Sequence, residues 1–599
     1  MFPMQSPLPQ TWDLDKFFPG GSRSESFGKY LVQLEEDLKE LHARLRELKA
    51  PQTAGEADTL LPVIDLLQRV VLSLREAASF TGCLAAENQH DKAAVMLGGR
   101  VKAIEADYAT ALTLFDDLLT RVGKEAWAAL LANPEVADIT YPLEERRALA
   151  ADKLPPEQEA LINDLAIDGY HGWGELYNTT VSKLRISYEE KDGTVKELSA
   201  GQAANRMHSP DREVRQKLFR LWEEKWAEHA DYCADALNHL AGFRLKLYER
   251  RGWQELHKEP LAINRMSQET LDAMWSVIEG GKDSFLRYLE RKAKLLGVPK
   301  LNWYDVEAPV GEGSLTFSYD QGAALIVEQF RRFSPKMADF AVMAFENRWI
   351  EAEDRDGKRP GGFCTSFPAS EETRIFMTYA GTASNVATLA HELGHGYHQH
   401  VMNDLPALAQ DYAMNVAETA STFAEMVMAD AAVKAAASEA ERLTLLEDKI
   451  QRSVAFYMNI HARFLFETEF YEERRQGLVG TERLNELMLS AQKRAFRDAL
   501  GEYHPHFWAS KLHFYITEVP FYNFPYTFGY MFSTGLYAEA LQRGEAFEEQ
   551  YIALLRDTGR MTVEELAEKH LGVDLRKPDF WQRALDLSVA DVEEFLRLT

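Results

Sequence analysis

Val386-Ala387-Thr388-Leu389-Ala390-His391-Glu392-Leu393-Gly394-His395-Gly396-Tyr397-His398 is the stretch on which the reading of this chain turns. Two histidines stand four residues apart, with a glutamate directly after the first. On a helix, positions i and i+4 lie one turn apart on one face. Two imidazoles placed so can share one zinc at about 2.0–2.1 Å. Glu392 then projects beside the metal and can hold a water without ligating it. Val386, Leu389, Ala390 and Leu393 form an apolar stripe that anchors such a helix in a core. A structural zinc site has no use for a carboxylate between its ligands, so the pattern favours hydrolysis over a scaffold.

A catalytic zinc needs three protein ligands and one open position. Downstream, Asn415 to Glu425 reads as a second helical segment with Glu418, Ser421 and Glu425 on one face. Glu418 follows His395 by 23 residues, enough for a turn and a return. His398 competes, being on the same face as His391, but three ligands along one straight helix spread over about 10 Å, too far for one ion. Glu418 is therefore the expected third ligand. His398 is left to the outer shell or to substrate. Glu425 either orients an imidazole through its free ring N–H or stands as a solvated helix carboxylate.

Outward from this stretch the chain reads mainly as helix. Leu31, Leu34, Leu38, Leu41 and Leu45 recur every three or four residues, which predicts an antiparallel bundle. Helical patterns continue over 60–79, 91–122, 156–167, 203–250, 268–296 and 320–350. Alternation around Asp192-Gly193 predicts a β-hairpin in 181–198. These textures suggest an amino-terminal helical domain, 1–199, and a catalytic domain, 200–599. The glycines and prolines of 354–385 exclude a continuous helix. Alternation there predicts a strand over 374–380, with Tyr379 on it and Gly381 just after it as candidate substrate-binding residues. Such a strand could pair its backbone with an extended peptide, with Gly362 and Gly381 permitting close approach.

Composition narrows the classes. The chain has 599 residues and a net charge of −27, which disfavours nucleic acid and anionic membrane as partners. Three scattered cysteines argue against a disulfide framework or a thiolate metal site. The start lacks a basic segment followed by an apolar one, and no apolar run approaches a membrane span, so the expected location is the cytoplasm.

The run Gly381-Thr382-Ala383-Ser384-Asn385-Val386 through His395 resembles the active-site helix of the thimet-type zinc oligopeptidases. Trp12-Asp13-Leu14 and the segment from Pro520 to Ser533 are similar to the oligoendopeptidase F branch. The resemblance spans essentially the whole chain. It implies a mainly α, two-lobed metallopeptidase body enclosing a deep channel, with a small β element beside the active-site helix. It also implies one zinc per chain and internal cleavage of short, unfolded peptides. Tyr530 matches the family's transition-state tyrosine. Its companions are offset, which leaves Tyr522, Tyr526 and His513 as the nearest candidates for substrate binding. Aromatic packing is the alternative for each tyrosine. A carboxypeptidase on a similar body would need a cation to hold a free carboxylate, and near the aromatic segment the sequence offers only Lys511.

Overall fold

The computed structural model describes residues 7–311 and 316–599. Helices dominate. The leucine seam becomes α1 (Glu25–Glu47), capped by the Ser24 hydroxyl, which accepts from the Phe27 N–H. All five seam leucines are buried, each contributing about 1.5–3 kcal/mol of transfer free energy. α2 (Leu61–Glu87) and α3 (Lys92–Arg121) pack against it. The pattern expected to be continuous over 203–250 is interrupted at Pro210, which cannot donate within a helix. Beyond it runs the 40-residue helix α4 (Arg212–Arg251). Pro335 likewise divides 320–350 into two helices.

Two compact units emerge, and neither is one run of chain. The first comprises Met1–Lys153, Ser314–Ala431 and Glu539–Gly572; the second comprises Leu154–Gly313, Ala432–Ala538 and Val573–Thr599. The change of texture expected near residue 200 lies inside the second unit. There β1 (Arg185–Glu189) and β2 (Val195–Ser199) form the antiparallel hairpin, with Gly193 at φ +84 in the turn. α5 (Gln268–Leu295) packs on the last helix, Pro578–Leu598, in the same unit.

In the first unit a three-stranded sheet lies on the α1–α3 core. Its order is β3 (Ile350–Glu351), β5 (Glu372–Phe376), β4 (Phe363–Phe367). Phe367 and Phe376 extend the apolar core that α1–α3 begin. β5 pairs parallel with β3 and antiparallel with β4. The strand expected over 374–380 is therefore shorter, earlier and central, and its ladder is satisfied on both sides. This corrects the expectation that it would take up a peptide; the outer strands of the sheet are β3 and β4.

The helix that carries both histidines, α6 (Ala383–His400), packs on β4 and β5. A capping box starts it: Thr382 Oγ1 accepts from Asn385 N at 3.1 Å, and Asn385 Oδ1 accepts from Thr382 N at 3.3 Å. Among the described residues, no helix is long and apolar enough to cross a membrane.

Candidate metal centre

His391 and His395 project from α6 as their spacing requires. Glu418 arrives from a one-residue break between the short helix Met414–Ala417 and α7 (Thr419–Ala435). What brings it close is Gly394, between the histidines. A Cβ there would lie 2.6 Å from both Ala420 O and Ser421 Cα. Only a residue without a side chain lets the start of α7 press against α6.

The three ligand atoms converge. His391 Nε2 is 3.1 Å from His395 Nε2, and Glu418 Oε2 is 3.4 Å from the first and 3.7 Å from the second. A tetrahedral centre with bonds of about 2.0–2.1 Å holds its ligand atoms roughly 3.3–3.4 Å apart. The donor set fits a zinc-sized ion in both spacing and chemistry. Among the described residues it is the one group of three with metal-binding geometry. All three residues are part-exposed, so an open coordination position can meet solvent or substrate.

The surroundings prepare the ligands. His391 Nδ1 lies 2.7 Å from Glu425 Oε1, an arrangement that turns Nε2 toward the metal. Burial would lower the His391 pKa, but Glu425, with Glu418 and Glu392 behind it, raises it. Burial holds His395 down to about 4, and the Ala417 carbonyl is within its hydrogen-bonding reach. Ser421 donates to Glu418 Oε2 at 2.8 Å, so the residue sharing a face with Glu418 steadies it. Glu392 is buried beside Gly362, where a Cβ would sit 3.5 Å from its Oε1. Burial pushes the Glu392 carboxyl up to about 7, against the pull of His391.

His398 turns away from this cluster. It is buried, with Nε2 2.9 Å from Thr558 Oγ1 and its ring stacked on Tyr412 at 4.3 Å. Its partners make it a packing group of the helix, which corrects the expectation of a contact with ligand or substrate. Tyr379 donates toward the Phe317 and Ser318 carbonyls at 3.2 and 3.3 Å. Gly381, at φ +83, accepts from Phe317 N at 2.8 Å. Both fasten the loop before α6, which engages the Tyr379 hydroxyl and the Gly381 carbonyl within the first unit.

Within the second unit, Tyr530 is buried, with its ring on Phe456 and its hydroxyl 2.9 Å from Ser453 Oγ. These contacts are those of the packing alternative. His513, Tyr522 and Tyr526 do form one group, with ring centroids 5.5–6.2 Å apart. Both of those tyrosines are half-buried.

Sequence comparison now decides the family. Residues 205–587 match the family described as Peptidase family M3, and residues 119–186 match Oligopeptidase F.

The chain belongs to peptidase family M3.

It is accordingly a metalloendopeptidase. An oligoendopeptidase F homolog of Lactococcus lactis subsp. lactis is 26% identical over 433 residues, covering 71% of this chain and 70% of the relative. The oligopeptidase PepF of Bacillus subtilis is 22% identical over 608 residues, covering 98% and 87%. The fold recurs in the crystal structure of oligoendopeptidase-F from Enterococcus faecium, with a TM-score of 0.69, 17% identity and coverage of 96% and 99%. In the sequence Gly394 stands between the two histidines with no role that their spacing defines. A glycine inside an otherwise good helix was the available signal, because it costs about 1 kcal/mol relative to alanine and must be repaid by packing.

Proposed function

We propose that this M3 peptidase is a zinc-dependent oligoendopeptidase that cuts internal bonds of short, unfolded peptides. The observation that carries the zinc reading is the triangle of His391 Nε2, His395 Nε2 and Glu418 Oε2, whose edges of 3.1, 3.4 and 3.7 Å suit one tetrahedral ion. When bound, zinc supplies Lewis acidity to a water and to the scissile carbonyl. Glu392 takes the proton of the attacking water on its carboxylate and passes it to the leaving amine. Its buried position supports that role, because a carboxyl near neutrality can both accept and return a proton. Glu425 holds the His391 ring.

His513, Tyr522 and Tyr526, grouped within the second unit, are the residues assigned to substrate binding. Recognition through the outer edge of β4 would read backbone rather than sequence, in keeping with the oligopeptidase names of the relatives. Three free cysteines suit a reducing cytoplasm. The test is elemental analysis beside peptide hydrolysis. One zinc per chain should be present, and activity should vanish on chelation and return with zinc. Full activity in verified metal-free protein would refute the reading.

A further inference from the structure

We propose that a cavity within the second unit binds the free carboxyl end of a peptide; the inference rests on the peptidase reading above. The cavity measures about 160 Å³ and has aromatic walls that include Phe219, Trp222, Trp303 and Phe507. Two cations, Arg463 and Lys511, also line it. Both approach the Phe507 ring, at 5.2 and 5.1 Å from its centroid.

Neither charge is held in an ion pair among the described residues, although the charge of Glu307 acts on both. Arg463 donates only to neutral amides, Asn459 Oδ1 at 2.9 Å and Asn523 Oδ1 at 3.0 Å. Among the described residues, neither cation has a carboxylate within ion-pair reach. Two half-buried like charges facing one cavity are costly unless an anion joins them. Burial, followed by the Arg463 charge, accordingly holds the Lys511 ammonium down to about 8.

Charge and size select the occupant. Glu307 also lines the cavity, exposed and 3.7 Å from His208. The two cations and Glu307 sum to one positive charge. That balances a single carboxylate better than a phosphate dianion. A cavity of roughly 150 Å³ accepts a benzene ring, so there is room for one apolar side chain with its carboxylate but not for a peptide segment. An α-carboxylate on an apolar body could come from a peptide terminus or from a free amino acid. The surroundings favour the peptide. Arg463 bonds Asn523, beside Tyr522, and the charges of Arg463 and Lys511 both act on His513. The cavity thus adjoins the group assigned to substrate.

The experiment is calorimetric titration of zinc-loaded Glu392→Gln protein, which needs no turnover. The probes are N-acetyl-Ala-Ala-Leu, its carboxamide and free leucine. The acid should bind at least about tenfold more tightly than the amide, as loss of charge-assisted hydrogen bonds implies. Adding Lys511→Met should reduce that ratio below about threefold, while Glu307→Gln, at an exposed position, should enlarge it. Equal binding of acid and amide would overturn the proposal. So would a full ratio in folded Lys511→Met protein, or no response to Glu307→Gln. Free leucine binding as tightly as the tripeptide acid would reassign the cavity to amino acids and overturn the peptide form. Hydrolysis by the unsubstituted enzyme is scored separately, so failure of the Glu392 mechanism would leave these binding ratios intact.

Discussion

Gly394→Ala should cost this enzyme its metal without unfolding it. The new methyl would lie 2.6 Å from Ala420 O and Ser421 Cα, where ordinary contacts begin at 3.4 Å, so α6 and the start of α7 must separate by about 0.8 Å. Both contacts are backbone, and neither can swing aside as a flexible side chain would. Glu418 stands two residues before Ala420 and moves with it. Metal–ligand distances tolerate about ±0.2 Å, so the carboxylate would be carried several tolerances away from the two imidazoles. Zinc affinity should fall by at least the roughly 10–100-fold typical of disturbed support around a site. The fold should suffer less. Overpacking costs about 1–3 kcal/mol, offset by the gain of about 1 kcal/mol when alanine replaces glycine in a helix. The assay is competitive zinc titration against a chromophoric chelator, with thermal unfolding of the metal-free protein alongside. Gly280→Ala is the control, since nothing lies within 4 Å of a Cβ at that helical position. Wild-type zinc affinity in Gly394→Ala would refute the claim that this contact delivers the third ligand.

Glu392→Gln should retain zinc and lose turnover by about 10²–10⁴-fold, whereas Glu418→Ala should lose zinc itself; elemental analysis with peptide hydrolysis exposes any reversal of these roles. Tyr530→Phe should leave kcat nearly unchanged and cost about 0.5–1.5 kcal/mol through the lost bond to Ser453, while phenylalanine at Tyr522 or Tyr526 should weaken peptide binding and lower kcat/KM by about tenfold through a lost hydrogen bond. The opposite ranking in steady-state kinetics would return Tyr530 to the chemistry. Glu223 carries the acid-stability prediction. Burial raises its pKa, but the charges and hydrogen bonds of His504 and His506 outweigh this and lower it to about 2. A depressed folded-state pKa means stability that is present above the unfolded value, about 4.3, and lost as pH falls toward 2. Urea melts of Glu223→Gln should therefore show a shallower loss of stability between about pH 5 and 2; an unchanged slope would remove Glu223 from acid unfolding.

The helical body and the metal triad were legible because both rest on short spacings. The leucine seam of α1 and the i, i+4 histidines of α6 state their faces within one helix. Glu418 was reachable because it lies close behind His395 and few other residues compete. The aromatic segment was not readable in this way. Tyr522, Tyr526 and Tyr530 stand at helical spacing on one stretch, and only tertiary packing decides which hydroxyl meets Ser453 and which remains part-exposed. The strand near residue 375 was placed by alternation, but alternation is blind to whether a strand is central or at an edge. That depends on β3 and β4, whose pairing partners are remote in sequence. No motif in the sequence marks Arg463. It is 48 residues before Lys511 and shares no motif with it, so only folding makes the two charges neighbours.

The discontinuity of the first unit has a consequence during synthesis. Residues up to Lys153 leave the ribosome with a leucine-rich face whose complement includes Phe367, Phe376, Met402 and Leu408. Those partners follow some 200 to 250 residues later, and the last piece of the unit, Glu539–Gly572, follows after more than 100 more. At about 5–20 residues per second, the first helices must wait roughly 10–50 s for the sheet that covers them. For that interval the nascent chain presents an apolar surface with no native cover, a target for holding chaperones and a hazard where ribosomes crowd. The metal triad, by contrast, is contained within 28 consecutive residues and can close as soon as its own segment emerges.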